Sequence, residues 1–253
     1  YKLQGSKYVQ SNVCNLYSQI KNDLKTGTPV LFIGTPCQVA GLKNYIRHVS
    51  EHLYLIDLIC HGVPSLKMLK EHVQHIAGTK SIERISFRKG SDFRLNLQGK
   101  EFYYVRSVWK DMYYRGFMNG FTYRPSCYHC PFATSERISD LTIGDFWGLQ
   151  QPEKLPVNPQ EGISVLLPST DKGLQLIRQV EEKMVIVERS VKEAVEGNAQ
   201  LRQPTQKTYR SKLFSVCYPV LPLDFLIRLL ITNQRAMTAI RLGINRFKHG
   251  IRK

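Results

Sequence analysis

The 253-residue chain is predicted to adopt an α/β fold: a mixed sheet with parallel strand-turn-helix units, an antiparallel meander and a helical C-terminal tail. Three observations predict it. Two apolar runs, "PVLFIG" (29–34) and "LYLIDLI" (53–59), each lead through a short turn into a segment with helical periodicity, the grammar of a parallel sheet. Residues 82–106 instead alternate apolar and polar side chains and are split by glycine turns, as antiparallel hairpins are. The last forty residues are apolar and basic at helical spacing.

In chain order, "NLYSQIKNDLKTG" reads as an amphipathic helix closed by Gly27. After the strand at 29–34, Thr35 suits a helix cap and Pro36 its first position, opening "CQVAGLKNYIRHV". After the strand at 53–59, Ser65 is placed to cap "LKMLKEHVQHIAG", which Gly78 ends. "IERISFRKG", "DFRLNLQGK" and "EFYYVRS" form the meander, and a helix follows at 108–118. "SDLTIGDFWGL" is a strand running into a glycine-bracketed loop. "QQPEKLPVNPQEG" is an exposed connection rich in proline. "ISVLLPS" is a further strand, and "DKGLQLIRQVEEKM" and "SVKEAVEGNAQL" are helices. We divide the chain into a catalytic domain at 1–200 and a basic helical extension at 201–253.

Composition is that of a globular protein, with 42% apolar and 22% charged residues. No apolar run approaches the roughly 18–20 residues that span a bilayer, and no signal-peptide pattern stands at the start. The net charge is +16, and residues 201–253 hold eleven Lys and Arg against one acid, Asp224. Such a surface suits an anionic partner, yet no nucleic-acid motif accompanies it, so no nucleic acid is expected. Contact of the basic helix with a membrane surface competes with a plain solvated face.

Six cysteines in a chain this long, without secretory features, point to a reducing cytoplasm and to metal or redox chemistry rather than disulfides. Cys127 and Cys130 form a CxxC followed by Pro131. Cys37 and Cys60 each sit just past the end of a buried strand in two similar units. Strands in a sheet lie about 4.8 Å apart, so two adjacent strand ends bring such residues together. Cys37 also falls in the first turn of a helix, where free N–H groups favour a thiolate. Four thiolates suit an iron–sulfur cluster or a structural zinc, and buried metal-free thiols are the plain alternative. Cys14 and Cys217 read as packed thiols.

In this order, "GSKYVQS", "GTPCQVAGLK", "DLICHGVPS", "CYHCPFA" and "SDLTIGDFWG" resemble the motifs of the coenzyme F420 hydrogenase/dehydrogenase beta subunit family, over about residues 5–215. The resemblance implies an oxidoreductase component that holds FAD beside a 4Fe-4S cluster. It implies cluster ligands at Cys37, Cys60, Cys127 and Cys130. It also implies flavin contacts at Gly5, Ser6, Lys7, Tyr8 and Ser11, and from the loop at Gly144, Asp145, Trp147 and Gly148. For these the competing readings are a surface turn and a core tryptophan in a tight loop. A two-cluster ferredoxin segment, common ahead of this region in bacterial members, is not seen in the sequence. A redox partner protein or ferredoxin segment and a small-molecule electron donor or acceptor are the expected partners.

No GxGxxG, Ser-His-Asp pattern or GxSxG is present, so a standard dinucleotide fold and nucleophilic hydrolysis have no support. His61 beside Cys60 reads as a loop hydrogen-bonding residue, and His129 as pointing outward. His72 and His75 read as solvated, and Arg88 and Lys89 as an exposed hairpin turn. A zinc-stabilised binding module and a cofactor-free relative acting in a surface-polysaccharide pathway are the rival functions.

Overall fold

A computed structural model of the chain describes residues 6–48, 50–89 and 92–232, and its α/β architecture agrees with the expectation. The chain forms two compact units, each assembled from separated segments. One holds residues 11–62 and 125–205, the other residues 1–10, 63–124 and 206–253.

The first unit is built on a four-stranded sheet of order β1-β2-β6-β7. Strands β1 (Val30–Gly34), β2 (Leu53–Leu58) and β6 (Leu141–Asp145) run parallel, and β7 (Ser164–Pro168) is antiparallel to β6. Phe32 stands opposite Leu55 and Gly34 opposite Asp57, so β1 and β2 end at one edge. Helices α1 (Leu16–Lys25) and α2 (Pro36–Ile46) cover one sheet face, where Ile20, Phe32, Val39, Leu42, Ile46, Leu53 and Leu55 form a core. The α2 start is built as expected. Thr35 is extended, Pro36 follows, and Gln38 reaches back to accept from the Thr35 N–H at 3.0 Å.

Buried Asp140 fastens the sheet. Its Oδ2 accepts from the Leu55 N–H at 2.8 Å and its Oδ1 from the Thr170 hydroxyl at 2.7 Å. Thr170 in turn caps α5 (Asp171–Arg178). The unit closes with α6 (Val191–Gly197) and a turn over Ala199–Leu201. Both helices are shorter than their periodicity suggests, because single 3-10 turns replace their last residues. Cys14 is a correction. It lies exposed in the turn ahead of α1, its N–H donating to the Asn12 side chain at 3.0 Å. That local bond holds the backbone out of the helix.

The second unit packs helices against a three-stranded meander, β3 (Arg84–Lys89), β4 (Asp92–Gly99) and β5 (Phe102–Ser107). The helices are α3 (Leu66–Ala77), α4 (Met112–Met118), α7 (Tyr209–Cys217) and α8, described over 223–232. Ser65 caps α3 by accepting from the Met68 N–H, and Gly78 ends it at φ 59°. Helix α4 starts later than 108 because Asp111 is its cap. Leu95, Leu97, Tyr113, Tyr114, Phe214, Leu223, Leu226 and Ile227 are the centre of this core, and Cys217 packs against it as expected.

His72 is the second correction. It is 1% exposed and bridges two carboxylates, its Nε2 lying 2.8 Å from Asp111 Oδ2 and its Nδ1 2.8 Å from Asp224 Oδ2. Burial alone would lower its pKa. The hydrogen bonds and negative charges of Asp111 and Asp224 override burial and raise it to about 9. An imidazolium thus ties α3 to the start of α4 and to α8. His75 is exposed, as expected.

Candidate functional site

Loops at the carboxyl ends of parallel strands build the sites of open α/β sheets. Here β1, β2 and β6 direct Cys37, Cys60 and the loop after Asp145 to one edge. Cys37 is the second residue of α2, and its Sγ lies 3.2 Å from the Thr35 hydroxyl. The N–H groups of Gln38 and Val39 in this turn already donate to the Thr35 carbonyl at 2.9 and 3.0 Å, so the helix start offers sulfur its dipole rather than spare donors.

Cys60 identifies the site electrostatically. Burial pushes its thiol up to about 12, with the Gly62 N–H opposing, and the charges of Cys127, Cys37 and Cys130 push it further in the same direction. The three other predicted cysteines of this unit thus lie near enough to act on Cys60. Cys127 lies in the 3-10 turn Pro125–His129 and Cys130 directly after it, both half-buried. His129 between them is exposed, as expected. Among the described residues, no three His, Cys, Asp or Glu side chains close into an ion-sized metal group.

A residue without a sequence signal of its own positions this loop. The Arg137 side chain is buried and reaches in several directions. Its Nη1 donates to the carbonyls of Phe132 at 2.9 Å and Thr134 at 3.1 Å, just past Cys130. Its Nε donates to the Thr142 hydroxyl at 3.0 Å on β6. Its Nη2 lies 2.9 Å from Asp57 Oδ2 on β2. That last contact is an ion pair without hydrogen-bond alignment. Asp57 also accepts from the Thr142 hydroxyl at 2.6 Å. Arg137 thus pins the CxxC loop to the strand that carries Cys60. The signal that points here is Asp57 itself, a carboxylate inside an apolar strand that demands a buried cation.

The glycine-bracketed loop shares this edge. A side chain at Gly144 would collide with Ile59, the neighbour of Cys60. Gly148 has φ +70°, and Gly197 faces the Trp147 carbonyl with no room for a Cβ. The loop therefore lies backbone to backbone against the end of α6. Glu193 of α6 holds it by accepting from the Gln150 N–H at 2.6 Å, while Arg189 pairs with Glu193 at 2.8 Å. Trp147 is 44% exposed, so it is not a core tryptophan.

His61 lies at the surface, and its carbonyl accepts from the Thr205 hydroxyl at 3.2 Å. Crowding of the loop around the ring lowers its pKa, and the Asp145 carboxylate partly opposes this. Ser11 stands at the same edge, its hydroxyl accepting from Gln38 Nε2 at 2.9 Å beside the α2 terminus.

Ser6, Lys7 and Tyr8 belong to the other unit, and Gly5 lies outside the described residues. Lys7 is exposed. The Tyr8 ring sits among Phe87, Tyr114 and Phe117, with centroids 4.9–5.8 Å away, and its carbonyl accepts from the Tyr113 hydroxyl at 2.7 Å. Arg88 lies over the Phe93 ring at 4.5 Å; the tip of its hairpin and the Lys89 side chain are outside the described residues.

Comparison with known proteins agrees with these motifs. A family model for the C terminus of the beta subunit of coenzyme F420 hydrogenase/dehydrogenase matches residues 27–194. The F420-reducing [NiFe] hydrogenase complex from Methanosarcina barkeri, solved as a xenon derivative, contains a chain similar to this one at 16% identity. The match covers 79% of this chain and 68% of that one, with a TM-score of 0.45. No curated protein matches the chain.

Proposed function

The chain belongs to the coenzyme F420 hydrogenase/dehydrogenase beta subunit family, and on that premise we propose that it is an electron-transfer oxidoreductase holding a 4Fe-4S cluster on Cys37, Cys60, Cys127 and Cys130 and binding FAD. The observation that carries the reading is the field of three sulfurs on the half-buried Cys60 thiol. Thiols whose neighbours oppose the ionisation of Cys60 would give up their protons on binding a cationic metal centre, which neutralises the charge that results. A four-iron cluster is broader than one ion and takes one cysteine per iron. The four cysteines proposed as ligands match that number.

When bound, the flavin would supply hydride-accepting chemistry and the cluster single-electron chemistry. The chain's own residues set the surroundings. The positive end of the α2 dipole favours negative charge on sulfur at Cys37, whose Sγ lies 3.2 Å from the Thr35 hydroxyl. Arg137 brings a buried positive charge behind the CxxC loop, and Ile59 packs on Gly144 next to Cys60. For the flavin, Ser11, Gly144, Asp145, Trp147 and Gly148 are the contacts proposed on this edge. Lys7 is proposed separately as a phosphate contact, with Gly5, Ser6 and Tyr8 as its neighbours. A redox partner protein and a small-molecule donor or acceptor complete the scheme, which we place in the cytoplasm. Among the described residues no helix is long and apolar enough to cross a membrane.

Anaerobic purification followed by iron, acid-labile sulfide, zinc and flavin analysis tests the reading. Iron and sulfide in equal amounts, about four per chain, are expected, with loss in Cys60→Ser and Cys127→Ser. Flavin should be retained in those variants and weakened in Lys7→Ala and Trp147→Ala. Stoichiometric zinc without sulfide would instead identify a zinc-stabilised module. Protein free of metal and flavin would identify a cofactor-free relative.

A further inference from the structure

Helices α7 and α8 form a hairpin whose inward side gives Phe214, Leu223, Leu226, Ile227, Leu230 and Ile231 to the core. Its outward side is not polar, as the solvated side of a surface helix pair is. Val216 is 75% exposed, Val220 81%, Phe225 55% and Leu229 44%. Phe225 and Leu229 are four residues apart on one helix and share a face. Lys212 and Arg228 are exposed on the same two helices. Asp224, the lone acid between 201 and 253, is engaged by His72.

The hairpin therefore presents large apolar side chains and cations with no free anion among them. The sequence beyond residue 232 has the same character. Met237, Ile240, Ile244, Phe247 and Ile251 recur at alternating intervals of three and four, with Arg241, Arg246 and Lys248 between them and no acid. Exposed apolar residues interspersed with cations match the boundary layer of an anionic bilayer, which takes up the former and attracts the latter. A protein partner would need an acidic rim against every one of these cations.

We propose that the hairpin over residues 209–232 docks on an anionic lipid surface. Phe225 and Leu229 enter the headgroup boundary, and Lys212 and Arg228 pair with the phosphates. The site is distinct from the cysteine edge and does not depend on its cofactors.

The test is cosedimentation of the full chain with phosphatidylcholine vesicles, alone or with about a third phosphatidylglycerol, across a salt series. Binding is expected to the anionic vesicles only and to fall with salt. Arg228→Gln should weaken it on the order of fivefold. Phe225→Ser with Leu229→Ser should weaken it on the order of tenfold or more. Both changes are at exposed positions, and unchanged melting temperatures will show that the fold is intact. Three results overturn the proposal: no binding to anionic vesicles, equal binding to neutral ones, or full binding by the double variant. A concentration-dependent dimer abolished by the double variant, with no vesicle binding, would assign the surface to a second copy of the chain instead.

Discussion

Replacing His72 with leucine should cost several kcal/mol near neutral pH, and that cost should shrink as the solution becomes alkaline. Asp111 and Asp224 would lose the cation between them, and stranding one side of a buried ion pair costs about 3–5 kcal/mol. The pH dependence follows from linkage. The folded pKa of His72 is about 9, above the unfolded value near 6.5, so its stabilisation is complete below about 6.5 and is lost as pH rises through 9. The corresponding energy is about 3 kcal/mol at pH 6.5 and well under 1 kcal/mol at pH 9.

The groups facing the ring do not obscure this window. Tyr104 donates to Asp111 Oδ2 at 3.0 Å, and Tyr113 stacks on the imidazole at 5.9 Å. Burial, followed by the Asp111 charge, raises both phenols and keeps them neutral there. The Arg106 charge opposes the Tyr104 shift without overcoming it. Urea denaturation of the native protein and His72→Leu at pH 6.5, 8 and 9.5 measures the gap. Taking the difference removes the cysteine titrations common to both proteins. A gap that stays constant with pH refutes the imidazolium bridge, and a gap under about 1 kcal/mol at pH 6.5 refutes the buried ion pair altogether.

Arg137→Gln should destabilise by about 3–5 kcal/mol by leaving Asp57 unpaired, and should lower iron content even though no ligand is changed; iron analysis beside denaturation will separate the two effects. Gly197→Ala forces a methyl onto the Trp147 carbonyl and should cost about 1–3 kcal/mol in thermal unfolding, with altered Trp147 fluorescence as the loop shifts. Ser65→Ala removes the α3 cap and should cost about 1 kcal/mol with no change in cofactor content.

Local chemistry is legible wherever it is confined to neighbours in the chain. Thr35-Pro36 and Ser65 mark helix starts because a cap needs only residues within one turn. Cys37 and Cys60 can be placed together because parallel strands β1 and β2 leave their ends at one edge. His72 misleads because its helix neighbours Lys70, Glu71 and Gln74 are polar, while the carboxylates that draw it inward come from 39 and 152 positions away. Arg137 is equally silent, since its meaning depends on Asp57 eighty residues earlier in the chain. Cys14 falls within the helical pattern because apolar periodicity does not reveal a competing side-chain bond from Asn12.

The interleaving of the two units sets an order on biogenesis. During translation Cys37 and Cys60 leave the ribosome first, and residues 63–124 must then appear before Cys127 and Cys130 can follow. At about 5–20 residues per second the early pair waits several seconds. Strand β6 and Arg137, which fix the late pair against β2, arrive later still. On the cluster proposed above, maturation factors would thus meet a chain whose four sulfurs are all present only after the intervening segment has been made.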